Sequence, residues 1–154
     1  MTDLLSHIEI IPASPAHLPW MLATFRHQVG RVLMTGPAEA RAETAALARI
    51  LRGRVGKAAV AVPVGDADDG MGWAVSLFGG LLAVYVSADF RRQGIGAALI
   101  SVVAPAVPVR VAFWTRDVQA MQAGGFPVEY SIEAFQALCR YARRDYQHQQ
   151  ARAA

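Results

Sequence analysis

The stretch Arg91-Arg92-Gln93-Gly94-Ile95-Gly96-Ala97 carries the residue types and spacing most suited to chemistry in this chain. It follows the apolar run Leu81 to Val86 and leads into the apolar, small-residue segment Ile95 to Val103. The pattern predicts a buried strand, a glycine-rich turn and a helix. Such a junction aims several backbone N–H groups at one point, at the positive end of a helix dipole. It therefore suits an anionic group such as a pyrophosphate. Gly94 and Gly96 keep that point clear of side chains. Arg91 and Arg92 add charge and planar donor forks beside it. By spacing alone, the same residues serve equally well as a tight strand-to-helix turn flanked by solvated arginines.

Other groupings carry less. Asp66-x-Asp68 has the opening spacing of a calcium loop, but the later ligands and closing glutamate are missing, so a polar hairpin tip is predicted. His17 and His27 stand ten residues apart on one predicted helix and cannot share a ligand. With His7 they are expected at the surface or partly packed, and no metal site is expected. Gly53-Arg54-Val55-Gly56-Lys57 has too short a glycine spacing for a P-loop and no Ser or Thr after the lysine. No Gly-x-Ser-x-Gly nucleophile elbow occurs. Cys139, on the apolar side of a predicted helix, reads as a core thiol.

The surrounding elements must position the glycine-rich turn. Ile8 to Ile11 predicts a short strand ended by Pro12. Ser14-Pro15 reads as an N-cap and first helical position, and apolar residues recur at helical spacing from Leu18 to Leu33 until Gly36-Pro37. A second, alanine-rich helix with a weak apolar face is predicted over Ala38 to Arg52. Ala58 to Val64 predicts a strand, followed by the aspartate-bearing loop Gly65 to Gly70. Gly70 to Ala88 holds no charged residue and approaches membrane-spanning length. Gly79-Gly80 divides it, predicting a hairpin of two buried strands, Met71–Phe78 and Leu81–Val86. Further on, Val109 to Trp114 predicts a strand, Asp117 to Ala123 a short helix, and Phe126 to Tyr130 a last strand. Ser131 to about Gln149 predicts an amphipathic helix, fraying from His148.

A chain of 154 residues that is 54% hydrophobic and 18% charged has the material for one domain with a real core. Residues 1–130 are expected to form its body, and residues 131–154 an added helix and frayed tail of the same domain. The net charge of +3 is scattered, apart from Arg91-Arg92 and Arg143-Arg144, and lacks the dense basic stripe of a nucleic-acid binder. A single cysteine excludes an intrachain disulfide and fits a reducing compartment. The first residues lack the basic start and long apolar stretch of a signal peptide, so a cytoplasmic protein is expected.

Over a longer window, Val86-Ser87-Ala88-Asp89-Phe90-Arg91-Arg92-Gln93-Gly94-Ile95-Gly96-Ala97-Ala98-Leu99 resembles the acetyl-coenzyme A signature of the GNAT N-acetyltransferase superfamily. Arg91, Gly94 and Gly96 occupy the signature positions. The predicted order of elements from Ile8 to Tyr130 is similar to that family's order, and Gly125-Phe126 resembles its recurrent pair after the fourth helix. The resemblance implies an α/β (α+β) fold with a mixed, mostly antiparallel sheet flanked by helices, to which this chain adds a C-terminal helix. It implies acetyl-CoA as cofactor, held by Val84, Tyr85 and Val86 and by Arg91, Arg92, Gln93, Gly94, Ile95, Gly96 and Ala97. It also implies direct attack of an amine on the thioester, with the carbonyl polarised by strand N–H groups and a general acid for the departing thiolate.

This sequence departs from the family where that chemistry occurs. The usual tyrosine position falls on Met121 and the usual asparagine on Trp114, and neither can serve in the same way. Tyr85 and Tyr130 remain as candidate acids, and Glu129, Asp89 or the Asp66–Asp69 group as candidates acting through water. Plainer roles compete, with Tyr85 packing its ring in the strand and Asp89 making a turn. Two functions stay open. One is an N-acetyltransferase taking an amine acceptor, without nucleic acid or membrane as partner. The other is a catalytically inactive module of the same fold, serving binding or homo-oligomeric assembly through the C-terminal helix.

Overall fold

In the computed structural model of the chain, residues 4–29, 48–49, 56–77, 79–112 and 116–153 are described. Among them the apolar runs form six strands: β1 (Ile8–Pro12), β2 (Lys57–Pro63), β3 (Gly72–Leu77), β4 (Gly80–Val86), β5 (Val109–Val111) and β6 (Val128–Tyr130). These make one sheet in the order β1-β2-β3-β4-β5-β6. The pairings from β1 to β4 are antiparallel, whereas β4–β5 and β5–β6 are parallel. The helices described are α1 (Leu18–Val29), α2 (Ile95–Val103), α3 (Arg116–Ala123) and α4 (Ile132–Ala153). The sheet is therefore mixed and mostly antiparallel, as expected. None of these helices is long and apolar enough to cross a membrane.

The central strands are apolar on both sides because both sides are covered. On one face Met21 and Phe25 of α1, together with Phe135 of α4, pack against Val60, Val62, Trp73, Val75 and Leu82. On the other face Ile95, Leu99 and Ile100 of α2 and Val118 of α3 pack against Ala59, Ala61, Ala74, Leu81 and Val84. One polar link fixes α1 on the sheet. The Trp73 indole Nε1–H donates to Thr24 Oγ1 at 2.8 Å, and that hydroxyl donates to the Trp20 carbonyl at 2.9 Å.

The β3–β4 register breaks once. Val75 pairs with Ala83 but Ser76 pairs with Leu81, so Leu82 is an extra residue on β4. This bulge puts Leu82 and Ala83 together on the α1 face. Beyond it Val84 faces α2 and Tyr85 faces α1. The hairpin at Gly79-Gly80 forms as predicted, with Gly79 at a φ of 77° that few other residues adopt.

Several expectations are corrected. His17, expected at the surface or partly packed, is buried, with 6% of its surface exposed. Its Nδ1 accepts the Ser14 backbone N–H at 3.1 Å, which leaves the proton on Nε2 to be donated to the Ala67 carbonyl at 2.7 Å. It thus ties the start of α1 to the loop before β3. The first helix begins as a 3-10 turn over Pro15–His17 and becomes α-helical at Leu18. The C-terminal helix continues to Ala153 instead of fraying at His148, in keeping with its run of glutamine, alanine and arginine. Strand β5 ends at Val111 rather than Trp114, and the Ala112 N–H still donates to the Leu81 carbonyl at 2.9 Å. The expectations for residues 30–47 and 50–55, and for Trp114, lie outside the described residues.

Candidate active site

The site begins where β4 parts from β5. Their register joins Leu81 to Val111, the last residue of β5, so among the described residues the C-terminal half of β4 runs on past the end of its neighbour. The direction of its backbone groups follows from the ladder with β3. The Ser87 N–H donates to the Met71 carbonyl at 2.9 Å. In an antiparallel pair alternate residues exchange hydrogen bonds. Tyr85 and Ala83 therefore pair into β3, opposite Trp73 and Val75. Val84 and Val86 turn their N–H and C=O groups the other way, into the opening beside β5. The Arg91 side chain confirms this sense: its Nε donates to the Val86 carbonyl at 2.9 Å.

Past Val86 the chain makes a 3-10 turn over Ala88–Phe90 and then the glycine-rich loop. Arg92 has φ 64° and Gly94 φ 83°, so two left-handed residues flank Gln93. This curls the backbone into a concave run of N–H groups ahead of α2. Gly94 is the N-cap of α2, and no side chain caps the helix there, so its first N–H groups point out of the helix end. An apolar residue before them, or a side chain at Gly96, would crowd this point. A Cβ at Gly96 would sit 3.7 Å from Val86 Cγ2 and 4.0 Å from Val84 Cγ2, inside the space those valines border.

A cleft of about 390 Å³ lies along this surface. Val84 and Val86 form one wall, and Arg91, Arg92, Gly94, Ile95, Gly96 and Ala97 form the mouth. The remaining wall comes from Phe90 and from Ala120, Met121, Gly124 and Phe126, at and just after α3. The structure thus gathers eight of the sequence-predicted cofactor positions around one space. Gln93 is exposed at the tip of the loop and does not line the cleft.

The two candidate acids are placed apart. Tyr85 points to the α1 face, where its ring stacks on Trp73 with centroids 6.2 Å apart and meets the Trp20 edge at 6.1 Å. Its backbone is committed to β3, so any role beside the opening falls to its side chain. Tyr130 lies on β6, paired with Val111 and level with Leu81, at the far end of β4 from the loop. It is 47% exposed and does not line the cleft. Asp89 sits in the 3-10 turn, and Glu129 lies beside Tyr130 on β6. Asp66 accepts the Asp68 backbone N–H at 3.3 Å, as a polar hairpin tip does. Reasoning from sequence missed the α3 wall. Met121 and Phe126 were visible as family positions, but nothing local linked them to Val84 and Gly96.

No protein-family model matches this sequence, and no curated protein matches it. Among solved structures the chain is similar to a possible acetyltransferase from Clostridium difficile 630, with 19% identity and a TM-score of 0.51 over 77% of this chain and 88% of that one. It is also similar to an aminoglycoside N-acetyltransferase in complex with CoA, with 14% identity and a TM-score of 0.46 over 91% and 86% of the two chains. An aminoglycoside acetyltransferase from an uncultured soil metagenomic sample, in complex with sisomicin, shows 17% identity and a TM-score of 0.44 over 83% and 79%. The chain has the GNAT N-acetyltransferase fold, a mixed sheet flanked by helices.

Proposed function

We propose that the chain is an N-acetyltransferase that moves an acetyl group from acetyl-CoA to an amine. One observation carries the reading. The outward-facing backbone of Val84 and Val86 and the N–H groups opening α2 border the same cleft. Acetyl-CoA supplies the activated acetyl group. The loop from Gly94 to Ala97 holds its pyrophosphate through backbone N–H groups. The Val84 and Val86 N–H groups align the pantetheine and polarise the acetyl carbonyl. The amine nitrogen bonds to the carbonyl carbon, the carbon–sulfur bond breaks, and the amine releases a proton to water. The departing thiolate takes its proton from water in this proposal, since neither Tyr85, whose ring packs on the α1 face, nor Tyr130 lines the cleft.

The test is calorimetric titration with acetyl-CoA. The parent chain binds, and Gly96→Val, which fills the space beside Val84 and Val86, binds at least about tenfold more weakly with its fold intact. No heat of binding at high micromolar ligand would overturn the reading.

A second reading has its own observation. Among the described residues the only ionisable side chains lining the cleft are Arg91 and Arg92, and Met121 occupies a wall where the family places an acid. A module that binds the ligand without turning it over fits that wall. Release of free CoA thiol in the presence of amines separates the two: turnover supports the enzyme, and binding without turnover supports the module.

A further inference from the structure

A second cavity, of about 740 Å³, opens between α4, the N-terminal ends of β4 and β5, and the edge strand β6. It shares no lining residue with the loop cleft. Gly80 marks its end of β4 and Val86 the other, roughly 20 Å apart at the usual rise of a strand. The cavity exists because α4 approaches closely at one point and fills little beyond it. A Cβ at Gly80 would stand 2.8 Å from the Ala134 Cβ, so only glycine lets the helix so near. The next side chains that α4 gives the cavity start with Ala134 and Ala137, which are too small to occupy it.

Its charges are unevenly matched. Three guanidinium groups line it, Arg110 of β5 and Arg140 and Arg144 of α4, against the carboxylates of Glu129 and Glu133. Arg110 stands opposite Glu129 in the β5–β6 register. The Glu133 carboxylate accepts the Ser131 hydroxyl at 3.1 Å at the start of α4 and also feels the charge of Arg110. Glu133 is thus held at the helix start, and Arg110 is the cation placed beside it and across from Glu129. Arg140 and Arg144, one helical turn apart and both exposed, bring the lining to three guanidinium groups against two carboxylates. Two guanidinium forks at that spacing suit an oxyanion. Beside them the wall is apolar: Ala134, Ala137 and Val107, the last 74% exposed.

We propose that this cavity is a ligand site separate from the loop cleft, for a small molecule that joins an oxyanion to an apolar body. Arg140 and Arg144 take the oxyanion, and Val107, Ala134 and Ala137 take the body. Its volume is in the range of pockets that enclose such molecules. The site does not depend on acetyl transfer.

Amide NMR of the full-length chain tests it, with phenyl phosphate and benzoate as the two oxyanion probes and benzyl alcohol as the uncharged one. Saturable shifts are expected at Val107, Ala134, Ala137 and Arg140 with at least one anion, and the tighter anion identifies the oxyanion as phosphate or carboxylate. The double variant Arg140→Gln/Arg144→Gln binds at least about tenfold more weakly. Ala137→Leu, which occupies the floor, abolishes binding. Because the two arginines are exposed, their variant tests the site even if Ala137→Leu does not fold. Shifts confined to Arg91–Ala97, no shift at all, equal binding of benzyl alcohol, or full affinity in the double arginine variant would each overturn it.

Discussion

At the start of α4, Ser131 accepts the Ala134 backbone N–H through its hydroxyl at 3.2 Å and donates to Glu133 Oε2. Glu133 has its carboxyl held below the usual carboxylate range, first by a backbone hydrogen bond at the helix start, then by the Ser131 hydroxyl and the charge of Arg110. A depressed carboxyl stabilises the fold above the unfolded-state value, and that contribution disappears as pH falls through the folded-state value. Glu133→Gln is therefore expected to melt slightly below the parent at neutral pH. The gap should close as the pH is lowered into the acid range, as followed by thermal circular dichroism. Tyr141 makes the opposite case. Its hydroxyl is buried without a hydrogen-bond partner, while the Arg49 guanidinium lies 5.0 Å from its ring centre. An unpartnered buried hydroxyl costs about 1–3 kcal/mol. Tyr141→Phe keeps the ring under the cation and removes the hydroxyl, so a melting temperature higher by roughly 2–4 °C is expected.

Among the elements, α1 is tied to the sheet by one side-chain hydrogen bond among the described residues, from Trp73 to Thr24, beside its apolar packing. Thr24→Val keeps the shape but strands the indole N–H of a fully buried tryptophan. A loss of about 1–3 kcal/mol in urea unfolding is expected, with the denaturant slope unchanged. The elements themselves were largely legible: the glycine pair marked the β3–β4 hairpin, and the Gly94–Gly96 spacing marked the start of α2. Their limits were not. The parting of β5 from β4 at Val111 is a matter of sheet geometry, since Ala112 and the residues after it remain apolar. The α3 wall of the cleft joins residues more than a full helix apart in the chain. His17 looked like any surface histidine because its partner, the Ala67 carbonyl, lies across a long sequence separation. The α4 cavity was invisible for the same reason: two alanines on an amphipathic helix mean nothing until Gly80 brings that helix close.

For the molecule as a whole, the two core clusters meet on opposite faces of one sheet and share β2, β3 and β4. Neither can lose its packing while the other keeps a sheet to pack on. Unfolding should therefore be a single cooperative transition. Tryptophan fluorescence, which reports Trp20 and Trp73 on the α1 face together with Trp114, should change at the same urea concentration as the far-ultraviolet signal of the helices. Two separated midpoints would count against this. The same sheet also shows how much one residue decides. Leu82 acts as a phase shift in β4: the strand counts faces one way before it and the other way after it. Without that step Tyr85 would swing to the side of the loop, and Val84 and Val86 would swing away from it. A one-residue deletion at Leu82 would, by contrast, restore plain alternation, with Leu81 and Val84 still on the α2 face and Ala83 and Tyr85 still on the α1 face, and leave the cleft wall as it is. What inverts the wall is keeping Leu82 while pairing it regularly, so the opening depends on the kink in β4 and not on the number of residues in the strand.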